Sequence, residues 1–336
     1  MARLCAAILV MAALYFARSI FAPVACSLFI IAILWPLQRN LQARMPTLVA
    51  VSVTVLATLA VVTVLASMIV WGFSRAGQWL INNAPRFQLL YAQTESWLEE
   101  HGVFVGALLV ENFNSSWLIR VLQEITGRIH GLLTFAFITF IFTILGLLEV
   151  DVVAKKIAHL GDREVGQTLL RAGAEIAAKF QKYMLVRSLI SVITGAAVWA
   201  FTSLAGLELA TEWGVIAFAF NYIPVIGPLV ATVFPTLFAF AQYESWEMGL
   251  TVFLGLNLIQ FLLGSYLEPR AAGAALSISP FIVLFTVFFW AFLWGIPGAF
   301  IGVPMMIAFL TICEQHQSSR WITTLLSGRD SFSTRA

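Results

Sequence analysis

One apolar segment of the chain carries four positions suited to binding a polar solute or an ion. They are Asn257, Gln260, Gly264 and Glu268. At about 100° of rotation per helical residue they fall within an arc of about 80°, so they form one stripe. The stripe can hydrogen-bond a neutral solute, and its carboxylate can bind a cation. In the alternative interpretation, Asn257 and Gln260 only hydrogen-bond to neighbouring helices.

The stripe ends at Glu268-Pro269-Arg270. Pro269 has no amide hydrogen, so it is expected to stop the helix there. Arg270 is close enough to pair with Glu268 if the chain turns. A structural interpretation makes this pair an anchor at a span end. In the functional alternatives it gates a cavity, or Glu268 carries a coupling proton.

Two apolar blocks, 213–242 and 280–312, are 30 and 33 residues long. A helix of 30 residues would be about 45 Å long, whereas a bilayer core is about 30 Å thick. Proline and glycine also interrupt both blocks near their middles, which predicts a break in each. The interrupting residues, with one asparagine, are Asn221, Pro224, Gly227 and Pro228 in the first block and Gly295, Pro297, Gly298, Gly302 and Pro304 in the second.

Paired breaks of this kind indicate a transporter site built from discontinuous helices; the alternative is an ordinary kink in a tilted span. Block length favours re-entrant hairpins, with tips predicted at 223–228 and 296–298. Hairpins would place 242–247 outside the cell and 268–279 in the cytoplasm. Gly298 and Gly302 form a small-xxx-small element, predicted to pack against the other broken block within one protomer. Gly264 and Pro304 complete the predicted helix-packing positions.

Composition determines where these elements reside. Of 336 residues, 60% are apolar and 11% are charged. Since a water-facing shell needs charges, this composition excludes a soluble enzyme, a disordered chain and a secreted disulfide scaffold. The net charge of +2 provides no basic surface for nucleic acid. The predicted fold is an all-α membrane protein.

Catalytic and metal-binding patterns are missing from the sequence. Cys5, Cys26 and Cys313 are far apart, and the four histidines form no ligand pair. The segment 161–168 resembles a phosphate-binding loop but has glutamine in place of the essential lysine. We therefore expect no enzyme activity, no metal and no cofactor. Transport would use an ion gradient or the solute's own gradient.

Hydropathy predicts eight apolar blocks, of which the sixth and the eighth are the broken ones described above. The blocks are 2–21, 23–37, 48–72, 129–150, 184–206, 213–242, 248–267 and 280–312. They define an N-terminal transmembrane region (1–72), an extracytoplasmic helical insert (73–128), a span with a cytoplasmic amphipathic connector (129–182), a motif-rich transport core (183–316) and a tail (317–336).

The distribution of lysine and arginine predicts the orientation. Arg39 and Arg44 lie between the second and third blocks, and 151–182 and the tail are also basic. All three fall on one side, so both termini are predicted to be cytoplasmic and 73–128 external.

The motifs in the second half resemble those of the AI-2E transporters, the autoinducer-2 exporter family. Asn221-Tyr222-Ile223-Pro224 with Gly227-Pro228 resembles the first motif. Glu268-Pro269-Arg270 with Gly273, Leu276, Ser279 and Pro280 resembles the second. Trp290, Trp294-Gly295, Gly298 and Pro304 resemble the C-terminal motif.

The resemblance implies a multipass protein of the bacterial inner membrane, a homo-oligomer in contact with the lipid bilayer. Family members are described as exporters of autoinducer-2, and some as sodium/proton antiporters. The expected function is therefore a secondary transporter that exports a small polar solute. A sodium/proton antiporter, which would carry a monovalent cation, is the alternative. A channel or a non-transporting membrane scaffold is the further alternative.

Overall fold

The computed structural model describes residues 2–83, 115–161, 163–272, 278–315 and 317–326. Every regular element in these ranges is helical. The helices are α1 (Ala2–Phe16), α2 (Arg18–Gln42), α3 (Thr47–Asn82), α4 (Ser115–Ala158), α5 (Arg163–Leu204), α6 (Ala210–Phe220), α7 (Ile226–Tyr243), α8 (Trp246–Gln260), a π-helical turn (Phe261–Leu267), α9 (Glu268–Ala272), α10 (Pro280–Trp294), α11 (Ile296–Gln315) and α12 (Arg320–Leu326).

Within the described ranges, seven helical segments are long and apolar enough to cross a bilayer. The prediction of an all-α membrane protein is therefore confirmed. The external insert predicted over 73–128 falls largely outside the description. Of that segment, 73–82 continues α3 and 115–128 opens α4.

The boundary between the first two spans differs from the prediction. The chain leaves the helical conformation at Ala17, and Pro23 and Pro36 both lie inside α2 rather than at its ends. Pro23 is the sixth residue of α2, where its ring crowds the carbonyl of Ser19 one turn earlier. The break at Ala17 therefore lies six residues before Pro23 and not at the proline itself.

The predicted amphipathic connector and the fifth span are one helix. α5 runs without interruption from Arg163 to Leu204, across the expected boundary at 182/183. Side chains change from basic to apolar around Lys182, but this change does not interrupt the helical backbone. No proline lies in this helix to break the backbone hydrogen bonds.

The first broken block folds into a helical hairpin of α6 and α7. Its base closes on the loop before α6, where Gln242 Nε2 donates to the Gly206 carbonyl (3.0 Å) and the Tyr243 hydroxyl donates to the Ala205 carbonyl (2.8 Å). Trp213 on α6 meets Phe238 on α7 edge to face, with ring centroids 5.2 Å apart. The two arms are thus antiparallel. The turn occupies 221–225, slightly before the predicted tip at 223–228.

The second broken block forms a tighter hairpin of α10 and α11. Gly295, at φ +68°, is the only residue between the two helices, one position before the predicted tip. A Cβ on Gly302 would lie 3.1 Å from the Thr286 carbonyl oxygen, so the arms approach closely. The tip is fixed to α1, because Trp294 Nε1 donates to the Leu14 carbonyl (3.1 Å).

The seventh span is longer than predicted. α8 continues through the π-helical turn into α9, and Pro269 lies inside this helical run. The prediction that Pro269 stops the helix was therefore wrong. A π-helical turn is wider than an α-helical one, and it accommodates the proline ring where an α-helical carbonyl would collide with it.

Two apolar clusters hold the hairpins. The first joins α2, α5 and the second hairpin through residues such as Phe29, Phe180 and Val287. The second joins α5, α8 and the base of the first hairpin through Val198, Trp213, Ile216, Phe238 and Leu256. The tip of the first hairpin packs against the first cluster through Ile223 and Ile226. Both hairpins therefore meet beside α5.

Candidate functional site

The site is built on one face of α5. Tyr183, Arg187 and Ser191 recur every four residues, so they lie above one another, and all three are buried. Ser188 flanks this row. A polar row inside a membrane-spanning helix normally faces the protein interior or a water path.

The tip of the first hairpin binds this face through two hydrogen bonds. Asn221 Nδ2 donates to Ser191 Oγ (3.1 Å), and the Tyr222 hydroxyl donates to Ser188 Oγ (3.0 Å). Side chains make both of these bonds. The backbone groups of the tip instead bond to one another in short turns. Ile223 N donates to the Phe220 carbonyl (2.8 Å).

Val225 gives the tip a strained backbone. Its φ is +67° and its ψ −51°, and Ile226 N donates to the Pro224 carbonyl (2.8 Å) across it. This is the rare γ-turn with positive φ, which disfavours a β-branched residue. Such strain costs about 1–3 kcal/mol and clusters at ligand clamps and switch regions.

A glycine lies at the start of the second arm in each hairpin. A Cβ on Gly227 would collide with the Phe220 carbonyl oxygen, and one on Gly298 would collide with the Trp290 carbonyl oxygen. In both cases the second helix passes directly over the end of the first. Both tips therefore require a residue without a side chain.

The charged centre of the site joins α5 to the start of α9. The guanidinium of Arg187 donates through Nη1 to Glu268 Oε1. Arg187 is 4% exposed, so its charge is neutralised by this carboxylate rather than by water.

Some buried polar atoms of α5 lack a hydrogen-bond partner among the described residues. They include Arg187 Nε, the Tyr183 hydroxyl one turn before it, and Thr194 Oγ1 about two turns after it. Unpaired buried polar groups are costly, and in a membrane protein they normally line a wet cavity or a solute path.

The family profile of AI-2E family transporters matches residues 4–317. The chain belongs to the AI-2E transporter family. The match covers α1 to α11 and thus every element of the site. The resemblance predicted from the motifs is confirmed. Because this is a family of membrane transporters, the class of the protein is a membrane transporter.

Two individual relatives cover nearly the whole chain, and a third covers part of it. The AI-2 transport protein TqsA of Escherichia coli (strain K12) is 26% identical over 323 residues, which are 95% of this chain and 93% of that protein. A putative transport protein of Haemophilus influenzae is 23% identical over 97% of this chain and 95% of its own length. One from Borreliella burgdorferi is 30% identical over 64% of this chain and 58% of its own length.

The structure brings together only part of the predicted site of this AI-2E transporter. Asn221, Pro224, Gly227 and Pro228 are in the hairpin tip beside α5, and Glu268 joins them through Arg187. Gly295, Pro297 and Gly298 form the other tip, on the side of α1.

The predicted stripe on the seventh span is not one functional face. Asn257 is exposed and donates to the Phe253 carbonyl of its own helix (2.8 Å), so it does not bind a neighbouring helix of the protomer. Gln260 is half-buried at the end of α8. The π-helical turn changes the rotation per residue between Gln260 and Glu268, which moves Glu268 out of line with Asn257. No described atom lies within 4 Å of a Cβ placed on Gly264, so this glycine allows no close helix approach within the described part of the protomer.

The predicted pairing of Glu268 with Arg270 was also wrong. Arg270 is exposed and stacks on Tyr266, with Cζ 3.6 Å from the ring centroid. Because α9 continues as a helix, Arg270 points away from the side on which Glu268 meets Arg187.

The small-xxx-small element packs within the protomer, but against a different partner. Gly298 and Gly302 contact α10 of the same hairpin and not the other broken block. Pro304 lies buried inside α11. Sequence reasoning missed Arg187, Ser188 and Ser191 altogether. A signal was present, because an arginine within a predicted span is rare and normally functional.

Proposed function

We propose that this membrane transporter is a secondary transporter that exports a small polar solute, with an autoinducer-2-like molecule as the first candidate. The observation that carries the proposal is the strained first hairpin tip held against the polar face of α5 beside the Arg187–Glu268 pair. Arg187 Nε and the Tyr183 hydroxyl supply donors for the solute. The name of the Escherichia coli relative, AI-2 transport protein, supports the candidate solute.

The proposed setting is the bacterial inner membrane, with both termini in the cytoplasm and the transporter as a homo-oligomer. Lysine and arginine are concentrated on the segments assigned to the cytoplasm, which supports the orientation. In this orientation the first hairpin enters from outside and the second from the cytoplasm.

The Glu268 carboxylate is also the group that the alternative function, sodium/proton antiport, would require. Glu268 is engaged by a guanidinium, so a sodium ion could bind to it only after the ion pair had broken. The ion pair therefore favours a gate or an anchor at Glu268 over a cation-exchange site.

Transport by the purified protein in proteoliposomes tests the proposal. We expect uptake of autoinducer-2 that the Arg187→Gln variant reduces and the Arg270→Gln variant retains. A sodium-dependent pH signal without solute uptake, lost in Glu268→Gln, would instead support the antiporter. Uptake that never exceeds the solute's own gradient under any ion gradient would support a channel.

A further inference from the structure

The short helix α12 closes the open end of the second hairpin. Where it begins, Ser319 Oγ donates to the Cys313 carbonyl (2.9 Å) and Arg320 Nε donates to the Glu314 carbonyl (3.1 Å), both at the end of α11. Where it ends, the Leu326 carbonyl accepts from Ser279 N (3.2 Å), at the start of α10. α12 thus connects the two arms at their base.

A charged network at this base indicates a position near the membrane boundary. Lys179 Nζ on α5 lies 2.7 Å from Glu314 Oε2 and 2.9 Å from Glu175 Oε1. Gln315 Nε2 donates to the other Glu175 oxygen (2.8 Å). Carboxylates and an ammonium group in such number stay near water. Since α12 begins five residues after Gln315, it lies at the level of the lipid headgroups.

The helix α12 is amphipathic, with one face against the protein and an apolar edge exposed. Ile322, Thr323 and Leu326 are half-buried on the side that faces the protein. On the other side, Trp321 is 64% exposed and Leu325 is 71% exposed, and the two are four residues apart on one edge. Arg320 is exposed about 140° away from Leu325.

The apolar edge of α12 continues an exposed apolar surface of α10. Phe281 on α10, two residues after Ser279, is 71% exposed. Further exposed side chains follow it along the same helix, namely Leu284, Phe285, Phe288 and Phe292. A tryptophan and a leucine at the end of such a surface, beside an arginine, are typical of the bilayer interface.

We propose that α12 is an interfacial helix that lies in the headgroup layer of the bilayer and ties the base of the second hairpin to it. Trp321 and Leu325 enter the boundary of the acyl chains, and Arg320 remains on the water side near the lipid phosphates. The base of the hairpin is thereby fixed relative to the membrane surface.

Site-specific labelling tests this proposal without any transport assay. A fluorescent label is placed at Leu325→Cys or, as a matched control in the turn before α12, at the exposed Ser318→Cys. The background is Cys5→Ser, because Cys26 and Cys313 are buried. The protein is reconstituted in vesicles of equal parts phosphatidylethanolamine and phosphatidylglycerol.

We expect a nitroxide-bearing lipid to quench the label at position 325 more strongly than aqueous iodide does, and the reverse order at position 318. Trp321→Glu should raise iodide quenching at 325, and Trp321→Phe should not. Equal iodide quenching at both positions would overturn the proposal. So would protection of position 325 from both quenchers, or cross-linking of two copies through it, because a protein surface would then cover α12.

Discussion

Arg187 on α5 and Glu268 at the start of α9 form an ion pair between residues 81 positions apart in the sequence. The side chain of Arg187 is 5% exposed and that of Glu268 is 27% exposed. The pair therefore joins the helix that carries the polar face to the helix that follows the π-helical turn. Because Arg187 is almost fully buried, its positive charge is compensated mainly by the Glu268 carboxylate.

The first prediction follows from this dependence. Arg187→Gln removes the buried partner of Glu268 and should lower the free energy of unfolding in detergent by about 3 kcal/mol. Arg270→Gln, which removes only an exposed stacking contact, should change it by less than about 1 kcal/mol. Denaturant titration followed by circular dichroism measures both. Equal losses in the two variants would contradict the assignment of Arg187 as the partner.

The second prediction concerns the close approach at the first tip. Gly227→Ala places a methyl group against the Phe220 carbonyl and should destabilise the protein by about 1–3 kcal/mol. Gly264→Ala, in open space, should be neutral or slightly stabilising. Thermal unfolding of the two variants makes the comparison. A stable, fully active Gly227→Ala protein would show that the hairpin tip is looser than described here.

The third prediction uses the strain at Val225. Val225→Gly removes the penalty of a positive φ at a β-branched residue and should raise the unfolding free energy by about 1 kcal/mol. The matched change Val233→Gly, inside α7, should lower it by about 1 kcal/mol. Opposite signs in the two melting experiments are expected, and a loss in both would argue against the γ-turn.

The fourth prediction compares two asparagines. Asn221→Ala removes the hydrogen bond to Ser191 that holds the tip on α5, and it should reduce solute uptake in proteoliposomes severalfold. Asn257→Ala removes a hydrogen bond within its own helix and should leave solute uptake unchanged. Both variants should insert in the membrane at normal levels. Loss of uptake in Asn257→Ala alone would move the pathway to the exposed face of α8.

The fifth prediction concerns membrane topology. If the first hairpin returns to the side from which it enters, Glu247 at the start of α8 is outside the cell and Arg270 is in the cytoplasm. An impermeant maleimide applied to intact cells should therefore label Glu247→Cys and spare Arg270→Cys, in the Cys5→Ser background. The opposite labelling pattern would mean that the protein is inserted in the reverse orientation, because the hydrogen bonds at the base of the hairpin keep 205–206 and 242–243 on one side.

Sequence alone predicted the features that depend on local backbone chemistry. The two breaks follow from proline and glycine, and the structure places them within a few residues of 223–228 and 296–298. The partner of Glu268 could not be predicted in this way, because Arg187 becomes its neighbour only when α5 packs beside α9. The prediction that Asn257 and Glu268 share one stripe was wrong. It assumed a constant rotation per residue, and the π-helical turn between them changes that rotation. The boundary at 182/183 failed because side-chain polarity changed there while the helix did not.

The unbroken course of α5 gives the transporter a lever. Its 42 residues span about 63 Å. α5 crosses α6 closely, where a Cβ on Gly195 would lie 2.9 Å from the Gly214 carbonyl oxygen, and the reciprocal distance is the same. If this crossing is the fulcrum, Arg187 is about 12 Å from it along the helix and Arg163 about 48 Å. A swing that shifts Arg187 by one ångström would then move the Arg163 end about four times as far, so a small displacement at the Arg187–Glu268 pair would be amplified at the start of the helix.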